Sequence, residues 1–264
     1  MTIDLSGEPE SIDPAIAYAP RDWSIVHSIY DSLVQFGPNG EIVPLAAETF
    51  TFSSPTTIDI TLRQGVKFHD GSPLDTKAIT RTVQHLNDSN SMVKDLFTVI
   101  TKVDEIDDLH AQITLSSPAA WLPAQMVAWF ALLPDGFTPD SLVKAPIGTG
   151  PYTFREYKVG SEITLDRNDD YTWGSPKGNS ISDSAVYRFV SEPATRVADL
   201  ATGSADIIIE IPEDQKSAIE SNGATAVEAS LVGSAWIRLI SDQKPFDDAR
   251  VRQALNYAVD VQSI

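Results

Sequence analysis

The sequence predicts a mixed α/β fold, and two patterns and one total carry the prediction. Runs of alternating apolar and polar residues recur along the chain, as half-buried strands require. Stretches with apolar residues at helical spacing lie between those runs. The 264 residues are 42% apolar and 21% charged, which is enough to bury a sizeable core. The length allows one large domain or two ordinary ones.

Residues 2–6 read as a short strand, followed by a loop that contains Pro9, Pro14 and Pro20. Asp22 is a good N-cap, and Trp23, Val26, Ile29, Tyr30 and Leu33 then recur at helical spacing. Residues 37–40, Gly-Pro-Asn-Gly, form a turn. Residues 57–62 alternate, with Ile58, Ile60 and Leu62 on one face. After a turn at residues 70–73, Asp75 caps a helix whose apolar face is Ile79, Val83 and Leu86. Residues 110–115 alternate again. The most apolar stretch, residues 119–134, is interrupted by Pro123 and Gln125 and reads as a buried helical segment, too short to cross a bilayer. Residues 148–151 break the chain, and strands follow near 152–156, 162–166 and 185–190. Pro193 and Gly203 bracket a helix at its start and end. Residues 206–211 read as a buried strand. Asp247 or Asp248 caps a last helix with Val251, Ala254, Leu255, Ala258 and Val259 on one face. That stripe is still in phase at Ile264, with no Gly, Asn or Pro to end it, so the chain is expected to be a fragment of a longer one.

Nineteen Lys and Arg against 37 Asp and Glu give a net charge of −18, which argues against nucleic acid as a partner. The absence of cysteine excludes a disulfide scaffold and a cysteine metal site. No signal segment is visible after Met1; a cytoplasmic origin explains that, and so does a mature region with Met1 added. His27, His69, His85 and His110 fit no H-E-x-x-H pattern, and His69 beside Asp70 reads as a solvated turn pair. No G-x-S-x-G elbow occurs. Residues 148–151, Gly-Thr-Gly-Pro, lack the lysine of a P-loop, and Pro151 removes an N–H, so they read as a backbone corner. Acidic pairs at 107–108, 169–170 and 247–248 read as turns and caps, since glycosidase chemistry needs a spatial pair. Tyr18, Trp23, Trp121, Trp129, Trp173 and Trp236 could line a ligand pocket, but each alone reads as core. Tyr18 differs, because it sits in a strand-to-helix loop where ligand contacts are commonly placed.

Seven segments, in order, carry a resemblance: SIDP at 11–14, IYDSLV at 29–34, GEIVPLAAE at 40–48, LRQGVKFHDGSP at 62–73, PIGTGPY at 146–152, RNDDY at 167–171 and KPFDDARVRQALNYA at 244–258. Together they resemble the large extracytoplasmic solute-binding proteins of ABC importers, the peptide/nickel-binding family (family 5). The resemblance implies a periplasmic-binding-protein-like flytrap that closes on its ligand. Lobe one would comprise a core domain, residues 1–37 and 150–264, and an inserted domain, residues 38–149; the chain stops where the family crosses to lobe two, which is absent. A lone lobe leaves a ligand half solvated, so weaker binding than in the whole protein is implied.

The implied role is the substrate-binding component of an ABC transporter. It captures an oligopeptide, dipeptide or similar solute outside the membrane and delivers it to permease subunits, with no enzymatic step and no cofactor. The protein would be a monomer in the periplasm or lipid-anchored at the cell surface, with its signal segment outside this sequence. Nickel-chelate, haem or oligosaccharide binding on the same fold are alternatives, and a carboxylate-pair hydrolase or a ligand-dependent receptor are alternatives of another class. Carried over from peptide-binding members, the ligand contacts are Tyr18, Ala19, Pro20 and Trp23, with Ser91, Met92 and Val93 as a second region. Main-chain groups of the first segment would meet an extended peptide as a strand does, although Pro20 lacks a donor. Nickel-binding relatives carry an aromatic residue near Val93, which this chain lacks, and Ile240 stands where the family commonly has Asn. Arg250 and Arg252 match the family and read as helix packing and surface pairing.

Overall fold

The computed structural model describes residues 1–227 and 237–260, and the chain divides into a unit of residues 1–225 and a second of residues 226–264. The first unit runs β1 (Thr2–Leu5), α1 (Pro20–Ile29), β2 (Val34–Phe36), β3 (Ile42–Pro44), β4 (Ala47–Ser54), β5 (Thr57–Leu62), α2 (Lys77–Leu86) and α3 (Lys94–Phe97). It continues with β6 (Ile100–Glu105), β7 (His110–Leu115), α4 (Leu122–Trp129), α5 (Pro139–Lys144), β8 (Tyr152–Lys158) and β9 (Glu162–Arg167). It ends with β10 (Ser184–Phe189), α6 (Pro193–Thr202), β11 (Ile207–Ile208) and α7 (Lys216–Ser221).

Two main sheets organise this unit. One has the order β11-β1-β10-β9-β8, with β1 parallel to both its neighbours and the rest antiparallel. The other, β4-β5-β7-β6, is antiparallel throughout, and β2 and β3 form a separate hairpin across the expected turn. Each main sheet feeds its own apolar cluster. Ile58, Ile60 and Leu62 of β5 pack with Ile79 and Leu86 of α2 and with Met126 and Phe130. Leu5 of β1 packs with Ile25 and Ile29 of α1 and with Ile163 and Leu165 of β9. Alternation on β5, where every second residue is buried, is what a strand with one face on a core produces.

Several expectations change. The first long helix begins at Pro20, not after Asp22. Asp22 occupies the third helical position and reaches back: its Oδ2 accepts from the Ala19 N–H at 3.1 Å and the Tyr18 N–H at 3.3 Å. A proline at the first helical position costs no hydrogen bond, so the start moves to it. The second helix is flanked by Thr76 rather than Asp75, and Asp75 instead lies 3.7 Å from the Arg81 guanidinium. The helix in the 119–134 stretch covers only Leu122–Trp129, because Pro123 sits in its first turn and Phe130 to Leu133 continue as buried chain. Residues 206–211 are not a buried strand: β11 has two residues at a sheet edge, Ile207 is 44% exposed, and Glu210 turns the chain with φ +53°. The helix from Pro193 ends as expected on Gly203, whose φ of +74° suits a residue without Cβ.

In the second unit, the Asp248 carboxylate accepts from the Arg250 N–H at 2.8 Å and caps α8 (Ala249–Ala258). No residue of α8 is buried, and the apolar Leu255 is 41% exposed. The helix expected to continue through Val259 instead ends at Ala258, where Val259 turns extended (φ −88°, ψ 119°); residues 261–264 and Trp236 lie outside the described residues.

Candidate functional site

The first unit brings the two predicted contact regions together. The loop before α1 folds on itself: the Asp13 carbonyl accepts from the Ile16 and Ala17 N–H groups at 3.0 and 2.8 Å. The Ala15 carbonyl then faces the 91–93 segment, accepting from the Met92 N–H at 2.9 Å and the Ser91 hydroxyl at 3.5 Å. Tyr18 (57% exposed) and Met92 (62% exposed) therefore come from regions joined by backbone hydrogen bonds. Tyr18 stacks on Trp129 of α4 at 5.9 Å and 27°, and Trp23 meets Trp129 edge-on at 5.4 Å. The Trp129 indole N–H donates to the Ala17 carbonyl at 3.0 Å, fixing the ring beneath Tyr18. Offset aromatic arrangements of this kind are favourable beyond their buried area.

The remaining predicted residues differ in position. Pro20 is exposed, Ala19 and Ser91 are partly exposed, and Val93 lies in the core cluster of the four-stranded sheet. The N–H groups of Tyr18 and Ala19 are engaged by Asp22, Pro20 has none, and the Ala19 carbonyl accepts from the Asp22 N–H at 2.9 Å, so a strand-like partner would find no donor here and little more than the Tyr18 carbonyl as an acceptor. Trp129 is one of the six aromatic residues named above as pocket candidates; its place under Tyr18 singles it out.

Behind Trp23, a cavity of about 360 Å³ is lined by Trp23, His27, Tyr30, Val34, Val127 and Lys177, among others. His27 Nε2 is 3.2 Å from the Ala128 carbonyl. Burial, and then the Lys177 ammonium, push the His27 imidazole down to about 4. The folded protein thus holds the neutral ring, whereas the unfolded chain takes up a proton near the ordinary value of about 6.5. The resulting stability is fully present above about pH 6.5, is lost as the pH falls toward 4, and amounts to roughly 3 kcal/mol. Urea unfolding at pH 7 and pH 4.5 checks this: His27→Gln is expected to narrow the difference, and an unchanged difference refutes it.

Beside the cavity, three of the family-like segments converge on one carboxylate. Asp31 is fully buried and pairs with Lys177 Nζ at 2.7 Å. The Tyr171 hydroxyl donates to its Oδ1 at 3.1 Å, and the Thr149 hydroxyl donates to its Oδ2 at 3.2 Å. Lys177 also donates to the carbonyls of His27 and Tyr30, at 2.9 and 3.0 Å. Gly148 and Gly150 pass directly against the end of α1, where a Cβ on Gly150 would lie 2.6 Å from the Ile29 carbonyl carbon. The expected backbone corner at 148–151 is present. His69 is not a solvated turn pair with Asp70: its Nε2 lies 3.0 Å from the Gly150 carbonyl, and its Nδ1 accepts from the Gly148 N–H at 3.3 Å. Burial pushes this imidazole down. The second nitrogen needs a lone pair to accept, so the ring is neutral with its proton on Nε2.

Among the described residues, no group of three or more His, Asp or Glu side chains is placed to hold a metal ion. No described helix is long and apolar enough to cross a membrane.

The mixed α/β fold is that of solved periplasmic binding proteins, on which the chain superposes. Residues 41–264 match the family described as bacterial extracellular solute-binding proteins, family 5 middle, and the chain belongs to that family of ABC-importer solute-binding proteins. The glutathione-binding protein GsiB of Pectobacterium atrosepticum is 32% identical over 267 residues, covering 96% of this chain and 50% of that protein. The binding protein AgaA from A. tumefaciens R10, solved with agropinic acid, superposes with a TM-score of 0.77 at 27% identity, over 84% of this chain and 46% of that one. DppA from Helicobacter pylori, solved with the peptide STSA, gives a TM-score of 0.85 at 23% identity, over 100% of this chain and 57% of that one. The chain spans about half the length of the curated relatives it matches, which is consistent with a single lobe.

Proposed function

We propose that this chain is lobe one of the substrate-binding component of an ABC importer, and that its cargo is a short peptide or a peptide-like solute. Residues 1–37 and 150–264 make the core domain in this reading, and residues 38–149 the inserted one. The observation that carries it is the Tyr18–Met92 surface: exposed side chains from two distant segments, held by the Ala15 carbonyl and by Trp129. Such a surface binds without making or breaking bonds. The whole protein works outside the membrane, in the periplasm or on a lipid anchor, as a monomer that hands its ligand to permease subunits. Glutathione, the ligand in the name of GsiB, is itself a tripeptide, and this supports the peptide class.

Native mass spectrometry of the freshly purified full-length protein tests the class, with ligand released under denaturing conditions. Short-peptide masses support it; a sugar, an opine or a metal chelate overturns the cargo assignment. Tyr18→Ala is expected to weaken binding of the released ligand about 30-fold by calorimetry, the usual scale for a contact aromatic worth about 2 kcal/mol. Unchanged affinity removes Tyr18 from the site.

A further inference from the structure

We propose that His85 and Asp13 are positioning residues for ligand recognition, holding the Tyr18 loop and the 91–93 segment in one register. The proposal rests on the reading of the Tyr18–Met92 surface as the ligand surface. His85 lies near the end of α2, with its side chain 9% exposed, and its Nε2 is 2.7 Å from Oδ1 of Asp13, whose side chain is 2% exposed. Phe137 packs edge-on against the imidazole at 5.3 Å and sets its plane. The same Oδ1 accepts from the Ala15 N–H at 2.9 Å.

Two routes leave Asp13, one from its carboxylate and one from its main-chain carbonyl. One runs through Ala15, whose carbonyl takes the Met92 N–H. The other runs through the Asp13 carbonyl to the Ala17 N–H, and from the Ala17 carbonyl to the Trp129 indole on which Tyr18 stacks. Four separate segments are thus oriented from one buried pair. Apolar packing of equal volume would give comparable stability without this directionality. A carboxylate oxygen with two donors fixes where the Ala15 peptide points, and through it the spacing between Tyr18 and Met92.

The test uses the full-length protein with His85→Leu, His85→Gln, Asp13→Asn and Tyr18→Ala. Glutamine carries an amide N–H about as far from the backbone as imidazole Nε2, so it serves as the conservative rescue. Hydrogen exchange at the Ala15 and Met92 amides and the Trp129 indole NMR signal are read without ligand. Affinities for reduced glutathione and for the peptide STSA are read alongside. His85→Leu and Asp13→Asn are expected to speed exchange at Ala15 and Met92 about tenfold, with β5 and β9 amides unchanged. His85→Leu is also expected to shift the Trp129 signal and weaken whichever probe binds about tenfold, and His85→Gln to return each value to within about threefold of the parent. Unchanged exchange at Ala15 and Met92 overturns the positioning role, as does equal acceleration in β5 and β9 or a failure of glutamine to rescue. If a probe binds and Tyr18→Ala leaves its affinity unchanged, the ligand-surface reading fails and takes the recognition half of the proposal with it. With neither probe bound, the exchange and NMR readouts alone decide whether the pair positions the loops.

Discussion

Asp31→Ala is expected to lower the free energy of unfolding by about 3–5 kcal/mol, the range for breaking a buried ion pair from one side. The carboxylate is fully buried, and its loss strands the Lys177 ammonium against the His27 and Tyr30 carbonyls with no counter-charge. It also leaves the Tyr171 and Thr149 hydroxyls without their shared acceptor. In a chain of this size the midpoint of thermal unfolding should fall by roughly 10 °C. Removing both charges together, with Asp31→Asn and Lys177→Met, should cost much less than the sum of the single changes, because neither charge is left unpaired. Calorimetry of the four proteins measures the coupling; additive losses would show that the pair is not a unit.

Gly148→Ala should be nearly as damaging, by about 3 kcal/mol or more. The new Cβ would fall against the Ile29 carbonyl oxygen and 2.8 Å from Tyr30 Cδ1. Backbone at the end of a packed helix cannot move aside as a flexible side chain would. Gly7→Ala is the control: nothing lies within 4 Å of its Cβ position, so a change below about 0.5 kcal/mol is expected. Equal midpoints for the two variants in urea would contradict the close-approach account.

What the sequence disclosed follows from burial. β5 and β7 each have one face on the core, so their period of two is plain, and their bounds match the expected ones. β4 and β6 are the edges of the same sheet and are largely exposed: β6 carries no period of two, and β4 alternates only at Phe50 and Phe52, of which Phe50 packs on the core, so its signal is short. β11 misled in the opposite direction: three consecutive isoleucines, Ile207 to Ile209, looked buried, yet the strand pairs on one side only. At the candidate site, Tyr18 was legible because an aromatic residue in a loop has no packing role to explain it. Trp129 was not, since its contact with Tyr18 joins residues more than a hundred positions apart. His85 gave no signal for the same reason: its partner, Asp13, is 72 residues away.

The convergence on Asp31 separates the address from the cargo. Residues 31, 149 and 171 lie in three of the segments that carry the family resemblance, and all of them are buried. Tyr18 and Met92 face outward and touch that hub nowhere in the described hydrogen-bond network. On the proposed reading, the ligand surface and the buried hub are therefore separate, and relatives that share the hub can differ in what they hold. The same separation invites grafting. Exchanging residues 18–23 and 91–92 between relatives, with the hub untouched, should transplant appetite without rebuilding the frame.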